Sequence, residues 1–348
     1  MPLDPGEAAF LSNIGLLMTY KCQVACPHCV IGAGPHRKEE ASLEDMRYWV
    51  AQAAAYRDGQ IKALCLTGGE PFYDLDKLKE TLTLAVSQGM LPTAVTNAFW
   101  AESSERALEI LKGLGELRVI SVSADAYHQA HIPFERVRNA LLAAKELELT
   151  YDVAVCTENL NDPEYLHLRS QLEEIVDQNN ISTVITFPAG RALNRINSFR
   201  YQTTTEFPAT ACGSASTPTI FPDGRVYACI GPVIDLHTPH PLLLGNLREE
   251  PLAEILDAAE VNPVLHFLRV WGPGRLLGLL KEKGYASKLP RLFIQNGMCN
   301  LCYTLMSDNE LCATMAELMH DPELQEKMAY ARLYYLDEAT MLNRLSIA

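Results

Sequence analysis

The sequence predicts an α/β protein. Its main part is a parallel sheet curved into an open, partial (β/α)6 barrel, and a smaller cysteine-bearing extension follows. Three observations lead there. Across the first 200 residues, short apolar, β-branched runs alternate with helix-length amphipathic stretches. Capping residues and glycine stops fall between them. After about residue 205 the alternation ends and a loop-rich region carrying cysteines begins. Strands alternating with helices imply a parallel sheet with right-handed crossovers. Six strands are too few to close an eight-stranded barrel, so a curved, open sheet is expected. The division expected from this is a barrel over 1–205 and an extension over 206–348.

The elements follow in order. Ile14–Tyr20 reads as a buried strand, and Ser42 caps a helix over Leu43–Arg57. Ile61–Leu66 is the second strand, followed by a helix over Leu75–Ser87 that stops at Gly89. Leu91–Thr96 is the third, with a helix over Glu105–Lys112 ending near Gly113. Leu117–Ser123 is the fourth, with a helix over Phe134–Leu147. Thr150–Cys156 is the fifth, with a helix over Pro163–Val176, and Ile181–Phe187 is the sixth. In the extension, Phe221–Arg225 carries a Pro-Asp-Gly hairpin signal between short strands. The last 35 residues are helical in pattern and rich in Leu, Met and Ala.

In such a sheet, functional groups collect at the carboxyl ends of the strands. Cys22, Cys26 and Cys29 follow strand one, and Gly68, Gly69 and Glu70 follow strand two. Thr96 and Asn97 end strand three; Ser121, Ser123 and Asp125 end strand four. Cys156 ends strand five, and Gly190-Arg191 follows strand six. Six polar groups of residues therefore converge on one rim.

Composition bounds the function. Hydrophobic content of 48% supports a real core. No apolar run is long enough to span a membrane, and no basic, apolar export signal opens the chain. Ten cysteines without an export signal point to a reducing, cytoplasmic compartment. A net charge of −14 disfavours nucleic-acid phosphates as partners.

The cysteine triplet is C-x3-C-x2-C, with His28 inside it. Three thiolates within eight residues suit three irons of a [4Fe–4S] cube and leave the fourth open for a small molecule. A cluster that only carries electrons usually has four thiolates. Zinc is the alternative, although zinc sites favour paired C-x2-C or distant histidines and close with four ligands. A disulfide framework suits a short secreted chain rather than 348 residues.

Together these residues resemble the radical S-adenosylmethionine (radical SAM) superfamily. The resemblance rests on Cys22-x3-Cys26-x2-Cys29 and on Gly68-Gly69-Glu70 at the end of strand two. It implies a partial TIM-like barrel whose open iron chelates the methionine part of SAM, and an external flavodoxin- or ferredoxin-like electron donor. Glu70 is then expected near the SAM ammonium and His28 against adenine. Thr96, Asn97, Ser121, Ser123 and Asp125 are similar to residues touching ribose or methionine, and Arg191 to a strand-six segment of several members. The implied activity is reductive cleavage of SAM to a 5′-deoxyadenosyl radical, followed by abstraction of a substrate hydrogen atom.

The extension resembles the SPASM and twitch domains of the same superfamily. Cys212-x11-Gly224-x4-Cys229 and Cys299-x2-Cys302 are similar to the ligands of one auxiliary [4Fe–4S] cluster. Only Cys312 remains for a second auxiliary cluster, which favours the one-cluster twitch arrangement. Cys65 reads as core. Cys156 and Cys312 are candidate hydrogen-atom donors, with buried packing the alternative. His128, and less so His131, is a candidate for substrate contact or proton transfer.

An oxidation or cross-link of a ribosomally made peptide is the expected reaction. Only 21 residues precede the triplet, so no leader-binding domain is expected ahead of it. Dehydrogenation or epimerisation of a small metabolite, such as an aminocyclitol, is the alternative. The ending Leu345-Ser346-Ile347-Ala348 lacks the Gly-Gly tail of the molybdopterin-precursor synthases. A non-catalytic iron–sulfur protein would keep the cysteines but would not need Gly68-Gly69-Glu70.

Overall fold

The structure is a computed structural model that describes residues 10–193, 199–207, 210–236, 238–341 and 345. Its described residues fall into two compact units. One is Ile14–Gln202 with Ile220–Asp223; the other is Met1–Asn13, Thr203–Thr219 and Gly224–Ala348.

The first unit holds six strands: β1 (Asn13–Thr19), β2 (Ala63–Gly68), β3 (Leu91–Thr96), β4 (Val119–Ser123), β5 (Thr150–Thr157) and β6 (Ile181–Ile185). They lie side by side in chain order. Every pair from β2–β3 to β5–β6 is parallel. The strands alternate with α1 (Leu43–Ala55), α2 (Leu75–Ser87), α3 (Ser104–Leu114), α4 (Ala126–Gln129), α5 (Phe134–Glu146) and α6 (Pro163–Glu173). This is the α/β order and mostly parallel sheet that the sequence predicts.

Period-two alternation sorts the strand residues onto two faces. Leu64, Leu66, Ala94, Ile120, Val122, Val153 and Val155 are fully buried on the face that the helices cover. The residues between them, Cys65, Thr93, Ser121, Ser123, Asp152 and Cys156, are half-buried on the inner face. Cys65 therefore belongs to a polar inner row and not to the helix-packed core that the sequence suggests. β1 is buried over six consecutive positions, as expected of a strand covered on both faces.

Differences from the sequence reading sit at element ends. Ser42 caps α1, accepting from the Asp45 N–H at 3.0 Å. The helix stops at Ala55 rather than Arg57 because Arg57 takes a left-handed backbone, φ +44°. α6 ends at Glu173, short of Val176. α4 is a single turn, too short for periodicity to announce.

The second unit contains β7 (Thr203–Thr204), β9 (Arg225–Tyr227), β10 (Leu243–Asn246) and β11 (Phe293–Ile294), while β8 (Thr219–Ile220) is divided between the two. β9 pairs antiparallel with β10, and β7 with β11. Five helices complete it: α7 (Leu252–Glu260), α8 (Pro263–Glu282), α9 (Met298–Met306), α10 (Asn309–Leu318) and α11 (Pro322–Leu336). The expected turn lies between β8 and β9, with Gly224 at φ +91°. α8 is kinked at Gly272, just before Pro273. No helix among the described residues is long and apolar enough to cross a membrane.

A buried charge network ties the second unit's helices together. Glu338 accepts from Arg269 Nη2 at 2.5 Å and from Arg332 Nε at 2.6 Å, all three being nearly solvent-free. Arg332 also reaches Glu260 at 2.6 Å. Arg269 Nε donates to Ser216 Oγ at 2.9 Å, and its guanidinium lies 4.1 Å from the centre of the Phe10 ring. Glu338→Ala leaves Arg269 without its carboxylate and Arg332 with Glu260 alone, which costs about 3–5 kcal/mol in a buried network. A melting temperature lower by roughly 10 °C is expected; anaerobic circular dichroism checks it.

Candidate active site

The Cys22–Cys29 loop leaves the carboxyl end of β1. It packs in an apolar cluster of Val24, Ala33 and Ile132, flanked by Ile31, Phe99 and Tyr127. Cys22 and Cys26 are buried, Cys29 is half-buried, and all three are free thiols. Burial pushes the Cys22 thiol up to about 12, although the Val24 N–H favours its thiolate. Asn97 Nδ2 also donates to Cys22 Sγ at 3.6 Å. A coordinated metal would reverse the cost of burial by holding the sulfur as thiolate. Three free thiols in a dry loop, with N–H groups aimed at one sulfur, fit a three-thiolate cluster site.

Two glycine turns hold the loop. A Cβ at Gly69 would sit 2.1 Å from the Lys21 carbonyl oxygen, and one at Gly190 would sit 2.1 Å from that of Val30. Only glycine permits these approaches. The Gly69 and Glu70 N–H groups donate to the Thr19 and Lys21 carbonyls at 2.7 and 2.9 Å. Gly68 and Gly69 thus dock backbone on backbone at the loop's entry. Arg191 works on its far side. Its N–H donates to the Cys29 carbonyl at 3.1 Å. Its guanidinium donates to the Cys26 carbonyl at 2.6 Å and to that of Ala33. Sequence placed Arg191 among cofactor contacts; the structure makes it a clamp on the cysteine loop.

Glu70 is also turned inward and is 1% exposed. Its carboxylate accepts from Thr96 Oγ1 at 2.9 Å, the Asn97 N–H at 2.8 Å and the Phe72 N–H at 3.1 Å. Burial raises its pKa to about 7 against the pull of these donors. The Thr96 hydroxyl is saturated, since it also accepts from Trp100 Nε1 and the Ala98 N–H. Glu70 and Thr96 therefore brace the ends of β2 and β3, where a ligand contact was expected. Asn97 stands between this brace and the cysteine loop, accepting from Gln23 Nε2 at 2.7 Å.

At the end of β4, Asp125 is fully buried and caps α4. Its Oδ2 lies 2.9 Å from His128 Nδ1 and 3.7 Å from His28 Nε2. Asp125 holds the His128 pKa well above the ordinary value, while burial lowers that of His28 to about 4. The His28 ring lies 4.5 Å from Tyr127 and 5.2 Å from His128, centre to centre. Its Nδ1 is buried without a partner. Ligand atoms of His28, Asp125 and His128 lie within 4.8 Å of one another, the one such group among the described residues. The sequence does not bring His28 to this group, because it sits about a hundred residues from His128 in the chain.

Cys156, at the end of β5, hydrogen-bonds to Asp125 and feels the charges of Cys26 and Cys29, so it belongs to the same rim. Burial and these anions hold it well above the usual thiol range, as S–H. Ser121 points elsewhere. Its hydroxyl donates to Asp152 Oδ2 at 2.7 Å, one row further from the rim. Ser123 is half-buried on the same face.

The second unit gathers four other cysteines. Cys212 precedes a short turn, Cys229 follows β9, and Cys299 and Cys302 sit one turn apart on α9. All four are free. Burial raises each pKa, and the charges of the other members lift those of Cys229, Cys299 and Cys302 further. Cys312, on α10, directs its thiol to the Met306 carbonyl at 3.5 Å. Its charge is also felt at Cys302.

Comparison with known proteins agrees with this geometry. Residues 16–172 match the Radical SAM superfamily, so the chain carries a radical SAM domain. Among curated proteins it is similar to the "Putative peptide biosynthesis protein YydG" of Bacillus subtilis (strain 168). The two are 21% identical over 306 residues, which is 86% of this chain and 93% of that protein. Among solved structures, native anSMEcpe with bound AdoMet aligns at a TM-score of 0.51 and 11% identity, over 88% of this chain and all of that one. A histidine-tagged form of the same protein with bound AdoMet aligns at 0.50 and 12%, over 90% and 98%. At these identities the likeness shows the fold.

The glycine and arginine contacts make a direct prediction. Gly69→Ala forces overpacking that costs about 1–3 kcal/mol, and the protein should retain less iron after anaerobic reconstitution. Gly113→Ala, where a Cβ meets nothing within 4 Å, should keep full iron. Arg191→Lys gives up the forked grip on two carbonyls. One charged hydrogen bond is worth about 1.5–3 kcal/mol, so iron loss to a chelator should quicken roughly tenfold.

Proposed function

We propose that this enzyme oxidises or cross-links a ribosomally made peptide. One observation carries the reading: a dry three-thiol loop at the carboxyl end of β1, clamped by Gly69, Gly190 and Arg191. Similarity to a peptide biosynthesis protein along most of both chains supports the substrate class. When bound at Cys22, Cys26 and Cys29, a reduced [4Fe–4S] cluster supplies the electron that cleaves SAM into methionine and a hydrogen-abstracting 5′-deoxyadenosyl radical.

The chain's own residues bind, orient and exclude water. Val24, Ala33, Ile132 and Phe99 keep the loop dry. Asn97 steadies the Cys22 sulfur. Gly68, Gly69 and Glu70 fix the height of the loop above β2, and Thr96 fixes Glu70. Asp125 aims His128 at the rim, where it can hold or pass a proton. His28 offers its unpartnered Nδ1 to a bound ligand.

We assign Cys212, Cys229, Cys299 and Cys302 to one auxiliary [4Fe–4S] cluster of the twitch type. Four free, half-buried thiols within one another's electrostatic reach are the donor set for it. A cluster held by these four thiols would supply an acceptor for the electron left on the oxidised peptide, consistent with an oxidoreductase. In this reading a flavodoxin- or ferredoxin-like protein supplies the first electron, and the ten free cysteines support a reducing, cytoplasmic setting.

A second reading rests on Cys156. A protonated thiol on the rim, bonded to Asp125, can return a hydrogen atom to a substrate radical, which would leave the product epimerised rather than oxidised. We favour it over Cys312 as donor because Cys156 shares the rim with the three-thiol loop. Thiol hydrogens exchange with water, so product made in D2O would carry deuterium under this reading. Cys156→Ala would then abolish that uptake while SAM cleavage continues; unlabelled product from the unaltered enzyme favours oxidation.

The main test is anaerobic reconstitution, reduction and addition of SAM, with 5′-deoxyadenosine measured by chromatography. Formation of 5′-deoxyadenosine is expected. Replacing Cys22, Cys26 and Cys29 together by Ala should abolish it and leave about half the iron, one cube of the two. No 5′-deoxyadenosine from fully loaded protein would overturn the reading.

A further inference from the structure

We infer that Asp152 is a recognition site for a protonated amine of the substrate, carried on the inner face of the sheet. The inference rests on the peptide-modifying function proposed above and narrows its substrate class.

Asp152 lies near the start of β5, beside Ser121 in the parallel register of β4 and β5. Its side chain points to the inner face, away from the helices that cover Val153 and Val155. Ser121 Oγ donates to Oδ2 at 2.7 Å. Among the described residues, that hydroxyl is the one hydrogen-bond partner of the carboxylate, and no lysine, arginine or histidine pairs with it.

The fold does little to compensate this group. Taking a carboxylate partly out of water is unfavourable unless a cation or several donors face it. Asp152 has one neutral donor, and burial raises its pKa above the ordinary aspartate range. Other buried carboxylates of the first unit are treated differently. Glu70 has three donors, and Asp125 has two histidines and a backbone N–H. Those two are compensated by several partners; Asp152 keeps most of its acceptor capacity unused.

Its surroundings select the kind of cation. Thr93 and Cys65 share the inner face, and the Asp152 charge is felt at the Cys65 thiol. The remaining lone pairs of the two carboxylate oxygens can accept the N–H bonds of one ammonium. A guanidinium prefers a free two-oxygen fork, and here Ser121 already takes one oxygen. A lysine side chain or a peptide amino terminus therefore fits better than arginine. The row lies along the same strands whose carboxyl ends carry Cys156 and Asp125. A substrate anchored by its amine at Asp152 would thus extend toward the reactive rim.

The test compares two probes on reconstituted, SAM-loaded enzyme by anaerobic calorimetry. They are N-acetyl-lysine N-methylamide and its uncharged counterpart, N-acetyl-norleucine N-methylamide. The lysine probe should bind about tenfold tighter, the equivalent of one charge-assisted contact. Asp152→Asn keeps the volume and the Ser121 hydrogen bond, and it should abolish the preference. Ser121→Ala frees the second carboxylate oxygen and should strengthen it, which keeps the test decisive if the first variant does not fold. Equal binding of the two probes by the unaltered enzyme would overturn the inference. A preference that survives in Asp152→Asn, or one that does not rise in Ser121→Ala, would do so too. The 5′-deoxyadenosine assay is independent of these arms, so failure of amine recognition and failure of the radical function are read separately.

Discussion

The arrangement of the barrel rim depends on a backbone-to-backbone contact. The turn after β2 presses Gly68 and Gly69 against the last residues of β1, closely enough that no side chain fits between them. The cysteine loop begins at that contact. On its other side Gly190 makes an equally tight approach to Cys29 and Val30, and Arg191 draws two loop carbonyls toward β6. Local propensity cannot hold eight residues with three unpaired thiols in one shape. Two glycine turns from distant strands can, because their hydrogen bonds are directional and leave no slack.

That contact explains why the polar groups of the rim divide into two sets. Glu70 and Thr96 fasten β2 to β3, which takes up the Thr96 hydroxyl and three acceptor sites of the Glu70 carboxylate. Asp125, His28, His128 and Cys156 form the second set. They are largely buried, electrostatically coupled and only partly satisfied within the protein. Rigid backing beneath a partly unsatisfied rim is what a site for a charged cofactor requires, since its groups must be aimed before the ligand arrives.

Much of this was legible in the sequence, for identifiable reasons. The six strands are short apolar runs with clear stops, and β3 lies at its expected bounds because Gly89 and the turn after Thr96 delimit it. The cysteine loop was legible because metal-ligand spacing survives without any fold. The direction of side chains was not. Nothing in the one-dimensional pattern says that Glu70 turns inward or that Ser121 pairs with Asp152, since both depend on strand register across the sheet. Nor could spacing join His28 to Asp125 and His128, or show Arg191 reaching back to Cys26, 165 residues away. The single-turn α4, which carries His128, is shorter than any period that could reveal it.

The central claim is that the loop holds a cluster with one open iron where SAM binds. Pulsed electron–nuclear double resonance on the reduced enzyme tests it directly, using SAM labelled with 15N at the amino group and 17O at the carboxylate. Hyperfine coupling of both labels to the cluster, absent when Cys22, Cys26 and Cys29 are replaced, is the predicted result. A fully loaded, reduced enzyme that binds SAM with neither coupling would contradict it.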